Sequence, residues 1–410
     1  MWQSKTPWLA LIGLYVVQGL PHGFFGQAMP VLLREQGLDL AVIGMLSLLS
    51  LPWALKFVWA PWLDRFSLVG GEFRRSWIIS MNAAAVVVLL LMSTQPLSGW
   101  TANLVLFASV LMLLNTLIAT QDIATDALAV ENLPPVQRGI GNGIQVAGYR
   151  IGMILAGGLL VSLYGLLGWQ WSLWLLAALM ALGTLPLWFF RPRPHVVDEQ
   201  PLWPLWLGFF RLRHAGWWLL LLLTYKFGDA FGTPMIRPML SDAGLTLPQL
   251  GVLLGTAGFL AGLAGALAGG WLVGVLGRQT ALLGFLLLEA LALLSYVGLA
   301  AMPQPDWTHI YLAITLEHIA GGMGTAAIFT VMMDRCREHC AAGDYAVQSC
   351  LIIVAGMLAG ALSGFSARWL GYDAHFALSA LLCVLALPVV WLLIRRGSLP
   401  ARVSVPGMVP

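Results

Sequence analysis

The sequence predicts an all-α membrane protein with 12 transmembrane helices in two pseudo-symmetric six-helix bundles. Three observations lead there. Hydrophobic residues make up 59 % of the 410-residue chain and charged residues only 10 %, with a mean hydropathy of +0.84, which describes a chain whose solvent is mostly lipid. Apolar stretches of about 20 residues, one bilayer crossing each, recur along the whole length. A local pattern also repeats at a shift of 207 residues, close to half the chain.

The crossings fall near residues 8–29, 41–62, 76–94, 103–125, 140–162, 168–190, 216–236, 247–270, 279–301, 309–332, 345–366 and 374–394. The first follows residues 1–7 directly and lacks a small-residue cleavage site, so it is expected to be retained as a helix. An even number of crossings puts both termini on one side. Fifteen of the 21 basic residues, among them Lys5, Arg65, Arg138, Arg335 and Arg402, share that side, against Arg34, Arg237 and Arg368 opposite. The positive-inside rule makes the basic side cytoplasmic.

Composition also excludes function classes. A net charge of +3, spread thinly, offers no clustered basic face for nucleic acid. The four cysteines, Cys336, Cys340, Cys350 and Cys383, lie in one cytoplasmic loop or in apolar helices and are expected as free thiols. The loop Cys336-Arg337-Glu338-His339-Cys340 holds soft and borderline ligands but no fourth partner, so no metal and no cofactor is expected.

The longest connection, 191–215, contains Pro192, Pro194, Pro201 and Pro204 and divides the chain almost in half. It sets the expected domains: a six-helix bundle over 1–190, a cytoplasmic linker over 191–215, a second bundle over 216–396 and a tail over 397–410. The repeat supports the division, because residues 37–46, GLDLAVIGML, resemble residues 244–253, GLTLPQLGVL, with a weaker echo of 152–157 in 356–360. Two parallel six-helix halves resemble the major facilitator superfamily, in which the substrate site lies near the bilayer midplane between the halves.

A charge near mid-bilayer needs a partner, a water-filled cavity or a lost proton. The first crossing carries Gln18 and His22, the second Lys56, and the fourth Asn115, Gln121, Asp122 and Asp126. The fifth holds Arg150, the seventh Tyr225, Lys226 and Asp229, the ninth Glu289, and the tenth Glu317 and His318. In the superfamily the first, fourth, seventh and tenth helices line the cavity, so the resemblance implies a polar transport path. Gln18, His22, Tyr225, Lys226 and His318 are then the candidate substrate-facing groups, and Lys56, Asp122, Arg150, Asp229 and Glu317 the candidate coupling network. Blander readings stand beside these. Lys226 and Asp229, three apart, can neutralise each other; Lys56 can snorkel to the interface; Glu289 reads as internally bonded or protonated, outside the site. Glycines 258, 262, 265, 269 and 270 read as a packing stripe. Most of the 19 tryptophans read as an interfacial belt, with Trp53 and Trp59 as exceptions.

The loop after the second crossing reads Pro61-Trp62-Leu63-Asp64-Arg65-Phe66 and then Gly70-Gly71-Glu72-Phe73-Arg74-Arg75, similar to the superfamily's cytoplasmic signature, with Pro61 in place of its first glycine. Asp64 is expected to face a helix N-terminus, while Arg65, Arg74 or Arg138 pairs with Asp126. Asp64, Arg65, Arg74, Arg75 and Asp126 form the candidate cytoplasmic gate. A weaker copy runs from Gly270 to Arg278.

Four local sequences resemble the AmpG-like branch of this superfamily: 51–61, LPWALKFVWAP; 120–127, TQDIATDA, with Arg138-Gly139 and Gly148-Tyr149-Arg150; 225–230, YKFGDA; and 321–327, GGMGTAA. That branch includes muropeptide permeases, acetyl-CoA transporters and the RhtX/FptX siderophore importers. TQDIATDALAV, the segment GDYAVQ at 343–348 and a chain ending after the twelfth helix resemble RhtX/FptX most. The resemblance implies proton-driven import of a ferric siderophore of the pyochelin or rhizobactin type across a bacterial inner membrane, by a monomer in contact only with cargo and lipid. An AmpG-type permease for anhydro-sugar peptides is the alternative. A polytopic membrane enzyme is disfavoured, because the polar groups follow alternating helices instead of gathering at one membrane face.

Overall fold

The computed structural model describes residues 6–39, 45–193, 195, 197, 201–302 and 306–399. Among these there is no strand; the chain is helix joined by short turns. Lys5 and Arg402, residues 40–44 at the centre of the internal repeat, Pro194 of the linker and residues 400–410 of the expected tail lie outside the described residues.

Nine helices among the described residues are long and apolar enough to cross a bilayer. One of them, Arg138–Phe189, spans 52 residues, more than a single crossing can use. It turns at Gly168, whose φ of 65° and ψ of −173° lie in a region open to glycine alone. The fifth and sixth crossings are therefore continuous but for that corner.

The second and seventh crossings are broken. Met45–Ser50 is a 3₁₀ turn, Leu51–Leu55 is α-helical, Lys56–Val58 is 3₁₀ again, and Ala60–Arg65 completes the crossing. Pro52 and Pro61 stand at the starts of the two α pieces, where the missing N–H costs nothing. In the seventh, Ala215–Tyr225 stops at Lys226, whose φ of −102° and ψ of 2° leave the helical region. Phe227–Gly232, a 3₁₀ turn over Thr233–Met235 and Ile236–Asp242 follow. Each break carries a lysine. Interrupted backbone at membrane depth is tolerated only where protein or a polar cavity satisfies it.

The helices pack as two compact units. One comprises Met1–Asn132, Gly148–Trp206 and Cys336–Cys350; the other comprises Leu133–Ala147, Leu207–Arg335 and Leu351–Pro410. Each thus takes a short segment from the other half of the chain. In the first unit, Val17, Phe24, Leu89, Leu111, Trp169 and Leu176 belong to one buried apolar cluster. The Thr6–Pro21 and Arg138–Met153 helices touch backbone to backbone: a Cβ at Gly19 would lie 2.0 Å from Tyr149 O, and one at Gly152 2.2 Å from Val16 O. In the second unit the glycine stripe does the same work, with a Cβ at Gly265 falling 2.3 Å from Ile319 O. Large apolar side chains such as Leu166, Phe189, Val105 and Trp369 stand outward, 77–86 % exposed, as lipid-facing groups do.

Candidate functional site

In the first unit, the break in the second crossing turns Lys56 inward, 2 % exposed. Its Nζ contacts Asp122 Oδ2 on the Leu104–Asn132 helix. Trp53 and Trp59 flank it and donate Nε1–H to Asn115 Oδ1 at 3.3 Å and Thr120 Oγ1 at 3.1 Å. Three polar rungs therefore tie the broken crossing to the fourth. Lys56 is an internal partner and not a snorkelling anchor, and the two tryptophans are bonded inside the unit. Asp126, one turn beyond Asp122, is buried.

Gln18 is 2 % exposed. Among the described residues its Nε2 has no hydrogen-bond partner, and neither do the Tyr15 hydroxyl and Gln121 Oε1. Buried polar atoms without partners are rare in folded proteins. His22 sits in a π-helical turn, His22–Ala28, which is accessible at His22 and places its ring 5.7 Å from that of Tyr149. Such turns recur at functional sites. Arg150 follows on the same helix as Tyr149, half-buried.

In the second unit, Lys226 Nζ lies 2.8 Å from Asp229 Oδ2 and 2.6 Å from Glu289 Oε1. The i, i+3 neutralisation of Lys226 by Asp229 is present, but Glu289, which the sequence placed outside the site, is a partner as well. The Glu289 side chain is 1 % exposed. On the Trp307–Asp334 helix, His318 Nδ1 donates to Ile314 O at 3.0 Å, since a carbonyl only accepts, and lies 2.5 Å from Glu317 Oε2. Its Nε2 faces Gly258, where a Cβ would approach to 2.6 Å. Tyr225 departs from expectation. It is fully buried and its hydroxyl donates to Leu282 O at 3.1 Å, so it turns into helix packing instead of toward a substrate.

The gate residues meet at one end of the first unit. Asp64 accepts from the backbone N–H of Ala342 at 3.0 Å and of Gly343 at 2.8 Å, capping the Ala341–Leu370 helix where its dipole favours a carboxylate. Arg74 donates to Asp64 Oδ1 at 2.6 Å, to Leu63 O at 2.7 Å and to Glu131 Oε1 at 2.5 Å. Of the arginines expected near Asp126, Arg74 takes Asp64 and Glu131, and Arg138, in the second unit, takes Asp334 at 3.0 Å. Arg74 opens the Phe73–Met92 helix, level with the last turn of Leu104–Asn132, and Asp126 lies deeper. Arg75 pairs with exposed Glu72 at 3.0 Å, and Arg65 is half-buried at the end of its helix.

Glu131 and His195 were missed. Glu131 sits one turn past the acids the sequence singled out. His195 lies in the linker and places Nδ1 2.9 Å from Glu131 Oε1 and Nε2 2.9 Å from Asp64 O. No local pattern announces it. Asp64, Glu131 and His195 bring together three side chains able to ligate a metal, but the Arg74 guanidinium already bonds both carboxylates and supplies the cation there. The second unit has its own version, in which Asp334 accepts from Arg278 Nε at 2.9 Å as well as from Arg138. In the loop after that helix, burial works against the charge of Arg337, and the Asp344 carboxylate at 2.7 Å outweighs it, holding the guanidinium above its ordinary value.

Two family models match: one described as acetyl-coenzyme A transporter 1 over residues 8–165, and the Major Facilitator Superfamily over residues 226–407. The anhydromuropeptide permease of Escherichia coli K12 is 31 % identical over 418 aligned positions, covering 97 % of this chain and 81 % of that protein. A putative transporter AmpG 4 of Rickettsia conorii is 26 % identical, covering 94 % of this chain and 95 % of its own. Among solved structures, a bacterial homologue of the iron transporter ferroportin in its outward-facing state superposes with a TM-score of 0.73 over 95 % of this chain and 99 % of its own. At 17 % identity that likeness shows the fold alone.

These relatives overturn the expected ferric-siderophore cargo and iron transport. The features that favoured RhtX/FptX are two short segments and a chain length, whereas the identity to the anhydromuropeptide permease extends over nearly the whole chain. With its helical architecture, the chain is a multi-pass membrane transporter and not an enzyme, and it belongs to the AmpG-like branch of the major facilitator superfamily.

Proposed function

We propose that this chain is a permease of the bacterial inner membrane that carries anhydromuropeptides into the cytoplasm in symport with protons, its basic face and both termini cytoplasmic. The observation that carries this reading is the 31 % identity to an anhydromuropeptide permease across 97 % of the chain. The polar groups suit such a cargo. A sugar–peptide presents hydroxyls, amides and carboxylates, and Gln18 and Gln121 hold buried polar atoms without a hydrogen-bond partner among the described residues.

Within this reading Gln18, His22, Lys226 and His318 face the cargo, and Lys56, Asp122, Arg150, Asp229 and Glu317 form the charge network through which protons act. Asp64, Arg65, Arg74, Arg75 and Asp126, joined by Glu131 and His195, serve the cytoplasmic gate. Ion pairs buried at helix breaks are the kind of element whose partners exchange between two states.

The test is uptake of radiolabelled anhydromuropeptide into cells that lack their own permease, with and without this chain and a protonophore, with acetyl-CoA as a competing solute. Chain-dependent uptake that the protonophore abolishes and acetyl-CoA leaves alone is expected. Absence of uptake with the protein verified in the membrane rejects the cargo. Protonophore-insensitive uptake keeps the cargo and rejects the proton.

A further inference from the structure

Three carboxyl groups gather around one ammonium in the second unit: Asp229 and Glu289 bond Lys226 directly, and Glu317 lies close by on the neighbouring helix. If all were ionised, the cluster would hold more negative than positive charge in a buried site. Membrane interiors do not support such a surplus, and it is relieved by protons bound to the acids.

Geometry singles out one of the three. The Asp229 side chain is 17 % exposed and can share its charge with surroundings outside the cluster. Glu317 Oε2 also lacks a hydrogen bond among the described residues, but its side chain is 8 % exposed and the His318 ring, a cation when protonated, stands 2.5 Å from it. Glu289 is the most enclosed, at 1 % exposure; its Oε1 lies against Lys226 at 2.6 Å, while its buried Oε2 has no hydrogen-bond partner among the described residues. A carboxylate oxygen in that position is stranded, whereas a neutral carboxyl loses far less on burial. The other titratable groups facing it cannot relieve it: the Tyr225 hydroxyl is engaged by Leu282 O, and Cys383, from the Tyr372–Arg395 helix, is a weak donor.

Space for the carboxyl is built in. Gly324 on the Trp307–Asp334 helix faces Glu289, and a Cβ there would fall 2.0 Å from Oε1. No larger residue fits at 324 while Glu289 stays where it is.

Resting on the proton-symport reading, we propose that Glu289, on a helix outside the expected cavity set, is the proton-carrying group of the second unit, and that its proton decides whether Lys226 is held by Asp229 alone or shared between Asp229 and Glu289. The proton adds to Glu289 Oε2 and later leaves from the same oxygen, with no other bond made or broken. Lys226 stands at the break between Ala215–Tyr225 and Phe227–Gly232, so a change of partner acts where the seventh crossing is interrupted.

The experiment has two arms. Protein in proteoliposomes is assayed with labelled anhydromuropeptide for accumulation under an inward proton gradient and for exchange at equal pH. Glu289→Gln is expected to abolish accumulation while exchange persists. Accumulation by Glu289→Gln, or loss of exchange together with accumulation in a folded variant, overturns the proposal. The second arm needs no cargo, so it stands even if anhydromuropeptide is not carried. Infrared spectra of the purified protein are titrated for the C=O stretch of a protonated carboxyl. The proposal requires a band that Glu289→Gln removes, Gly324→Ala shifts and Glu317→Gln leaves; a band that survives Glu289→Gln unchanged, or no such band, overturns it.

Discussion

Removing the Lys56 ammonium leaves Asp122 as a buried acid without its counter-charge, a larger perturbation than the loss of one ion pair. Breaking a buried pair from one side costs about 3–5 kcal/mol, whereas replacing both partners with apolar groups of similar volume is often close to neutral. Lys56→Met is therefore expected to lower the unfolding midpoint in detergent sharply, and the double variant Lys56→Met with Asp122→Leu to recover most of it while remaining without transport. If the double variant were no more stable than the single, the pair would not be the source of the loss. The sequence put Lys56 and Asp122 in one charge network, because an intramembrane charge demands a partner, but left open whether Asp122 faces Lys56 or Arg150. Glu289 was read as internally bonded or protonated, and the bond is present; that its partner is Lys226, reaching across from the seventh crossing, was not legible. His195 was illegible, since nothing in a proline-rich linker indicates that one ring will sit between Glu131 and the Asp64 carbonyl.

Among the elements, two kinds of contact set the packing and each can be broken alone. The Thr6–Pro21 and Arg138–Met153 helices meet where a Cβ at Gly152 would lie 2.2 Å from Val16 O, against backbone that cannot step aside. Gly152→Ala is expected to destabilise the protein by roughly 1–3 kcal/mol, the usual range for an overpacked contact. Gly158→Ala, with open space around the added carbon, is the control and should leave the unfolding midpoint unchanged. The other contact is the cap on Ala341–Leu370. Asp64→Asn keeps an acceptor for one N–H but loses the charge that engages both the helix end and Arg74. Cys340, 5 % exposed at the mouth of that helix, should then react faster with a thiol reagent in a Cys336→Ser background; unchanged reactivity would mean that the cap does not hold the segment. Hydropathy placed the long crossings well and could not see the breaks in the second and seventh, because averaging over a full span hides a local change of backbone. The fourth crossing runs on to Asn132, past the predicted 125, because Asp126 and Glu131 find protein surroundings there instead of lipid.

For the molecule as a whole, the paired arginines settle less about orientation than their number suggests. Arg74, Arg138, Arg278 and Arg337 each bond an acid at or near a helix end, and that chemistry would be the same on either side of a membrane. What distinguishes the sides is the imbalance itself, fifteen basic residues against three, because loops rich in Lys and Arg resist translocation however they are later bonded. The consequence is measurable with a phosphatase reporter that folds only where its disulfides can form, outside the cytoplasm. Fused after Ala301, between the ninth and tenth crossings, the reporter should be active; fused after Gly397, beyond the twelfth, it should be inactive. Activity at both positions would remove a crossing from the count, and the inverted pattern would place the Asp64–Arg74–Glu131 network on the periplasmic side and require a gate that closes outward.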